Sequence, residues 1–136
     1  MPLALFDLDN TLLAGDSDYL WGTFLVEKGI VDGDYYEREN ERFFQEYKAG
    51  QLDIHAFLRF SLRPLRENDP RQLRDWREEF LHDKIDPIIC GGSRRLIEKH
   101  RAAGDELLII TATNAFVTAP IAERLGVRHL IATEPE

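Results

Sequence analysis

The stretch Leu3-Ala4-Leu5-Phe6-Asp7-Leu8-Asp9-Asn10-Thr11-Leu12-Leu13 constrains this chain more than any other. A run of four apolar residues ends in two carboxylates spaced i, i+2, followed by a threonine. An apolar run this short, closed by polar residues, reads as a buried strand that delivers its carboxyl end to a site. Ligands of open parallel α/β sheets collect at that end. Side chains alternate along a strand, so Asp7 and Asp9 share a side only where the chain stays extended between them. Two carboxylates held that close repel. A hard divalent cation that takes oxygen ligands, such as Mg²⁺, is the natural compensation. The pair by itself also fits a turn or a helix N-cap.

With 136 residues, 43% of them hydrophobic, the chain is long enough for one domain with a real core. The formal charge of −8 argues against sequence-independent binding to nucleic acid or to an anionic membrane, which needs basic patches. A phosphorylated substrate stays compatible, because Mg²⁺ and a few arginines reverse the sign inside one pocket. Cys90 is the single cysteine, so no intrachain disulfide forms and a reducing compartment fits. The N-terminal apolar run is too short for a signal peptide, and no stretch is long enough to span a membrane. The expected location is the cytoplasm.

Past a loop at Ala14–Asp18, the patterning predicts four helices between Ser17 and Lys84, which hold most of the aromatics. Ser17 or Asp18 is the expected cap of the first, and Gly29 its end. Asp34 is the expected cap of the second, which runs to Gly50. Asp53 caps the third, which Pro64 is expected to stop. Asp69-Pro70 reads as an N-cap with proline at the first helical position of the fourth, lined by Leu73, Trp76 and Phe80. Asp86-Pro87 and Cys90-Gly91-Gly92 read as a return hinge. Ser93 is the expected cap of a helix ended by Gly104. Leu107–Ile110 then forms a buried strand that ends in Thr111-Ala112-Thr113-Asn114, and a helix follows with Thr118 as the expected cap. Val127–Ala132 reads as a third strand. This βαβ pattern predicts a right-handed parallel crossover, and with the first strand an α/β doubly wound parallel sheet.

The string Phe6-Asp7-Leu8-Asp9-Asn10-Thr11-Leu12 resembles the nucleophile motif of the haloacid dehalogenase (HAD) superfamily of phosphohydrolases, Asp-x-Asp-x-Thr behind an apolar strand. Thr111, ending the next strand, resembles that superfamily's second motif. The resemblance implies a HAD-like sheet with an inserted helical cap: residues 1–14 and 86–136 as core, residues 15–85 as cap. It implies Asp7 as nucleophile and Asp9 as general acid/base. The Asp7 carboxylate and the Asp9 backbone carbonyl would be Mg²⁺ ligands. Thr11 would fix the loop, Thr111 would bind a phosphoryl oxygen, and Ala112 and Thr113 would add contacts to the phosphate. Asp16 lies nine residues after Asp7, where the phosphoserine-phosphatase branch carries an acidic residue facing the substrate amino group. Phosphoserine and histidinol phosphate would both qualify as the small phosphorylated metabolite. Arg42, Arg59 and Arg63 are candidate anchors for a substrate carboxylate, and solvated surface explains them equally. His55, His82, His100 and His129 show no metal-ligand spacing.

The family pattern also contains a phosphate-pairing lysine and a later acidic pair that completes the Mg²⁺ site. Neither follows Ala132. The resemblance therefore implies the N-terminal part of such a hydrolase, three strands of its sheet. The Leu3–Phe6 strand becomes an edge open to self-association. A non-catalytic module that binds phosphate or Mg²⁺, and a phosphotransferase, are the alternatives.

Overall fold

The computed structural model describes residues 2–135, and the chain divides into two compact units. Within the described residues the first joins 2–21 to 77–135 and the second comprises 22–76. The division falls inside helices α1 (Ser17–Glu27) and α4 (Pro70–Phe80).

The first unit holds a parallel sheet of strands β1 (Leu3–Asp7), β2 (Glu106–Asn114) and β3 (His129–Thr133), in the order β1-β2-β3. Helix α5 (Gly91–Ala102) packs on β2, and α6 (Ala115–Arg124) packs on β2 and β3. This is the parallel α/β architecture that the resemblance implies. The register pairs Phe6 with Ile109 and Asp7 with Ile110. Alternation then puts Phe6, Leu107, Ile109, Thr111 and Thr113 on the buried face. Leu3, Leu5, Ile110 and Ile131 lie on the other face, where Leu3 is 59% and Leu5 56% exposed. Among the described residues β1 is paired on one side only, which makes it an edge of this sheet.

β2 is longer than its apolar run. It continues through Thr111–Asn114, past the last β1 pair at Asp7↔Ile110, and its register against β3 shifts between Ile110 and Asn114. The strand thus overhangs the end of β1. Asn114, not Thr118, caps α6: its side chain accepts from the Val117 amide at 3.1 Å. The Thr118 hydroxyl instead donates back to the Asn114 carbonyl at 2.9 Å, inside the helix.

Where the chain returns from α4, it lies beside the segment that left β1. Leu13 bridges Ile89 in antiparallel fashion, and the Ala14 amide donates to the Ile88 carbonyl at 2.8 Å. Ser93 does not cap α5, which begins at Gly91. Its buried hydroxyl donates to the Leu12 carbonyl at 2.9 Å and so ties the helix to the turn after β1. Trp21 meets Phe80 edge-on at 5.1 Å in the same unit.

The second unit is helical: the rest of α1, α2 (Gly33–Lys48), α3 (Ile54–Glu67) and the start of α4. Asp32, rather than Asp34, caps α2, accepting from the Tyr35 amide at 2.9 Å. Asp34 lies in the first turn, where a carboxylate still favours the helix dipole. Asp53 caps α3 and Asp69 precedes Pro70, as read from the sequence. Pro64 does not stop α3. It is buried inside the helix, whose last turn is held by the Asn68 side chain donating to the Pro64 carbonyl at 2.7 Å. Proline removes one helical bond, and here burial and that side-chain bond offset the loss. Phe43 centres the aromatic core, 5.5 Å from Phe57 and 5.4 Å from Phe60, and Tyr36 lies 5.2 Å from Phe60.

Gly22 lets the Tyr36 ring close on α1. A Cβ there would stand 1.9 Å from the Tyr36 hydroxyl oxygen and 2.6 Å from its ring carbon Cζ. Gly22→Ala therefore forces the ring off Phe60, and we expect a loss of about 1–3 kcal/mol of stability by denaturant titration. An unchanged midpoint would contradict this packing.

Candidate active site

The carboxyl end of β1 turns at once. Leu8–Leu12 form one wide turn closed by the Leu13 amide donating to the Leu8 carbonyl at 3.1 Å. Leu8 and Leu12 are buried and anchor it from below. Asn10 takes the left-handed conformation, φ 58°, a region that asparagine tolerates better than most residues. Its amide donates to the Gly15 carbonyl at 2.9 Å.

Asp7 is exposed at the strand end. Its Oδ1 accepts from the Leu8 amide at 2.9 Å, and no described residue hydrogen-bonds Oδ2. Asp9 lies inside the turn with an extended backbone, φ −70° and ψ 131°. Four donors meet its carboxylate. Oδ1 accepts from the Ser17 amide at 2.7 Å and the Ser17 hydroxyl at 2.6 Å. Oδ2 accepts from the Thr113 hydroxyl at 2.9 Å and the Thr111 hydroxyl at 3.2 Å. The Thr113 amide in turn donates to the Thr111 hydroxyl oxygen at 3.2 Å. The overhang of β2 makes this contact: residues two apart share a face, so both threonines reach the turn together.

Ala112 is exposed, and its carbonyl accepts from the Thr133 hydroxyl at 2.9 Å. Thr11 is exposed on the turn, apart from the cluster around Asp9. Asp16 caps α1: its Oδ1 accepts from the amides of Asp18 and Tyr19 at 2.9 and 3.1 Å. Neither Ser17 nor Asp18 is the cap. Instead Asp16 sets Ser17 as the first residue of the helix, and so aims the Ser17 amide at Asp9. Hydrophobic periodicity carries no signal for that contact. It depends on where the helix starts.

Asp18 also escaped the sequence reading. Burial first, then the charges of Asp16 and Asp9, push its carboxyl up to about 6. The charges of two neighbouring carboxylates thus bear on Asp18 at this mouth. Among the described residues, no group of three or more His, Cys, Asp and Glu side chains is arranged to hold a metal ion. His82 pairs with Asp83, His100 with Asp105 and His129 with Glu106.

The raised Asp18 value has a definite sign. The folded chain holds the Asp18 proton more tightly than the unfolded chain, whose value is about 3.8. Stability from this group is therefore complete at low pH and is lost as pH rises from about 4 to above 6. Asp18→Asn removes that loss. Thermal melts at pH 4.5 and 7.5 should show the variant gaining on the parent as pH rises, by at most about 3 kcal/mol. A pH-independent difference would contradict the assignment.

Residues 4–136 match the model of the family described as haloacid dehalogenase-like hydrolase. A histidinol-phosphatase of Neisseria meningitidis serogroup C (strain 8013) is 42% identical over 134 residues, covering 98% of this chain and 60% of that protein. The crystal structure of a protein of unknown function from Bordetella pertussis Tohama I superposes with a TM-score of 0.92 at 45% identity, covering 99% of this chain and 61% of that one. A phospho-aspartyl intermediate analogue of phosphoserine phosphatase shares the fold, with a TM-score of 0.62 at 21% identity over 96% of this chain and 55% of that one. This chain spans less than two thirds of each of these proteins. With the family match running over residues 4–136, the chain belongs to the haloacid dehalogenase-like hydrolase family.

Proposed function

We propose that the protein is a Mg²⁺-dependent phosphomonoester hydrolase that works through an aspartyl-phosphate on Asp7. Its substrate would be a small phosphorylated metabolite such as histidinol phosphate or phosphoserine. The observation that carries this reading is the pairing of two differently placed carboxylates. Asp7 presents a free oxygen at the exposed strand end, and Asp9 is held by four donors two residues later.

In this reading Asp7 Oδ2 attacks phosphorus as the bond to the leaving oxygen breaks. Asp9 gives its proton to that oxygen. It then takes a proton from the water that attacks the acyl-phosphate, which releases phosphate and restores Asp7. Thr111, with the longest of the four bonds to Asp9, is the donor best able to turn to a phosphoryl oxygen. Ala112 and Thr11 are its proposed neighbours around the phosphate, whereas the Thr113 hydroxyl is given to Asp9 at 2.9 Å.

The oxygens at hand suit a hard cation. The other Asp7 oxygen, Oδ1, and the Asp9 backbone carbonyl would hold Mg²⁺, while the Asp9 side chain faces the Ser17 and threonine hydroxyls. Mg²⁺ commonly keeps several waters and takes substrate phosphate beside one or two carboxylates. Bound there, it would neutralise phosphoryl charge.

Asp16 keeps one carboxylate oxygen outside its helix cap, and Asp18 lies close enough to feel its charge. A mouth of this sign favours a substrate with an ammonium or imidazolium group. In the helical unit, which we read with its flanks (residues 15–85) as a substrate-selecting cap, Arg42, Arg59 and Arg63 line one groove of about 380 Å³. Arg42 pairs with Glu39 and Glu46, and Arg63 with Glu67. Arg59 makes no ion pair among the described residues. It is the one of the three whose charge is free of such a pair, and so the proposed anchor for a substrate carboxylate. No helix among the described residues is long and apolar enough to cross a membrane. The cytoplasm is the proposed location, and the open edge of β1 the proposed surface for self-association.

Phosphate release from an aryl phosphate in millimolar Mg²⁺ tests the core of this reading. Asp7→Asn should lower the rate by at least about 10³-fold without loss of fold. Release that persists in the variant would overturn it. Asp16→Asn should raise KM for histidinol phosphate about tenfold and leave the aryl phosphate, which carries no cationic group, unaffected. Equal effects on both would remove the cation-binding role.

A further inference from the structure

The bonds around Asp9 do more than satisfy a carboxylate. Ser17 is 0% exposed and places two donors on Oδ1, its amide and its hydroxyl. Thr113 is 6% exposed and places its hydroxyl on Oδ2 at 2.9 Å, shorter than the 3.2 Å of Thr111. The donors come from two separate segments and grip opposite oxygens, so they fix both the direction of the side chain and the twist of its carboxylate plane. Both residues are buried, and the donating atoms are set by backbone geometry: Ser17 by the Asp16 cap of α1, Thr113 by the face of β2. Proton transfer needs a donor and acceptor within hydrogen-bond reach and in line, and a side chain that is left to rotate loses rate.

We infer that Ser17 and Thr113 are positioning residues that lock the Asp9 carboxylate for proton transfer, leaving Thr111 as the hydroxyl free to serve the phosphoryl group. This rests on Asp9 being the general acid/base. Thr113 then acts through Asp9 and not on the phosphate. Ser17, beyond starting a helix, sets the orientation of the group that moves the proton.

The test separates the two steps of turnover. Release of 4-nitrophenolate in the first step needs no acid, because that leaving group is stable as an anion. Breakdown of the acyl-phosphate needs Asp9 as base. Thr113→Val, close in shape to threonine, and Ser17→Ala should leave the rate of the pre-steady-state burst of 4-nitrophenolate, and the substrate concentration that half-saturates it, within about twofold. They should slow steady-state turnover, and hydrolysis of an alkyl phosphate, by about 10–100-fold. Thr113→Ser should restore most of the loss. Equal slowing of burst and steady state, or a change only in the substrate concentration that half-saturates the burst, would show a merely structural or phosphate-binding role. Asp9→Ala separates the premise: if it retains turnover, the acid/base reading falls. If it loses turnover while Thr113→Val and Ser17→Ala keep theirs, the positioning inference falls alone. A readout without turnover completes the test. In ¹⁵N-labelled protein the Ser17 amide proton should lie downfield, and it should move upfield in both Asp9→Ala and Thr113→Val. A Ser17 amide indifferent to Thr113→Val would overturn the inference.

Discussion

One carboxylate ties together the functional end of the first unit. Asp9 receives donors from the start of α1 and from the overhanging end of β2, while it sits itself in the turn after β1. Ser17 lies 8 residues from Asp9 and the β2 threonines 102 and 104 residues away, and a buried or half-buried carboxylate without partners is costly. The Asp9 cluster therefore acts in two ways at once. It joins the turn, the helix and the strand mechanically, and it leaves the adjacent Asp7 as the carboxylate with an uncommitted oxygen.

What allows the cluster to form is apolar. Leu8 and Leu12 are buried under the turn, and Phe6 and Ile109 face each other in register one step before it. The buried Ser93 hydroxyl, bonded to the Leu12 carbonyl, binds the returning chain to the same turn. With the base of the turn packed and its end tied, the polar side chains are left on the outer side. Burial places the loop, and hydrogen bonds then orient its acids. The opposite sheet face, with Leu3, Leu5, Ile110 and Ile131, plays no part in this arrangement.

Much of this was legible in the sequence because it depends on local pattern. The apolar run into Asp7, the threonine closing the second apolar run, the Asp53 cap and the Asp69-Pro70 start all carry short-range signals. The less legible features depend on packing or on register. Asp32 and Asp34 both suit an N-cap, and only the true start at Gly33 chooses between them. Pro64 reads as a stop until its burial and the Asn68 bond are known. The extension of β2 through Thr113 has no hydrophobic signature, since it exists to reach Asp9 and not to fill a core. Ser17 and Asp18 read as equivalent caps in the sequence; the cap at Asp16 makes one a donor to Asp9 and the other a half-buried acid pushed up to about 6.

The central claim is that Asp7 carries the phosphoryl group. The most direct measurement is acid-quenched peptide mapping of the protein during turnover with an aryl phosphate and Mg²⁺, after borohydride reduction of any acyl-phosphate. The account predicts one modified residue, Asp7, converted to the reduced product only when substrate is present. Modification of Asp9 or of any other residue, or phosphate release with Asp7 unmodified throughout, would contradict it.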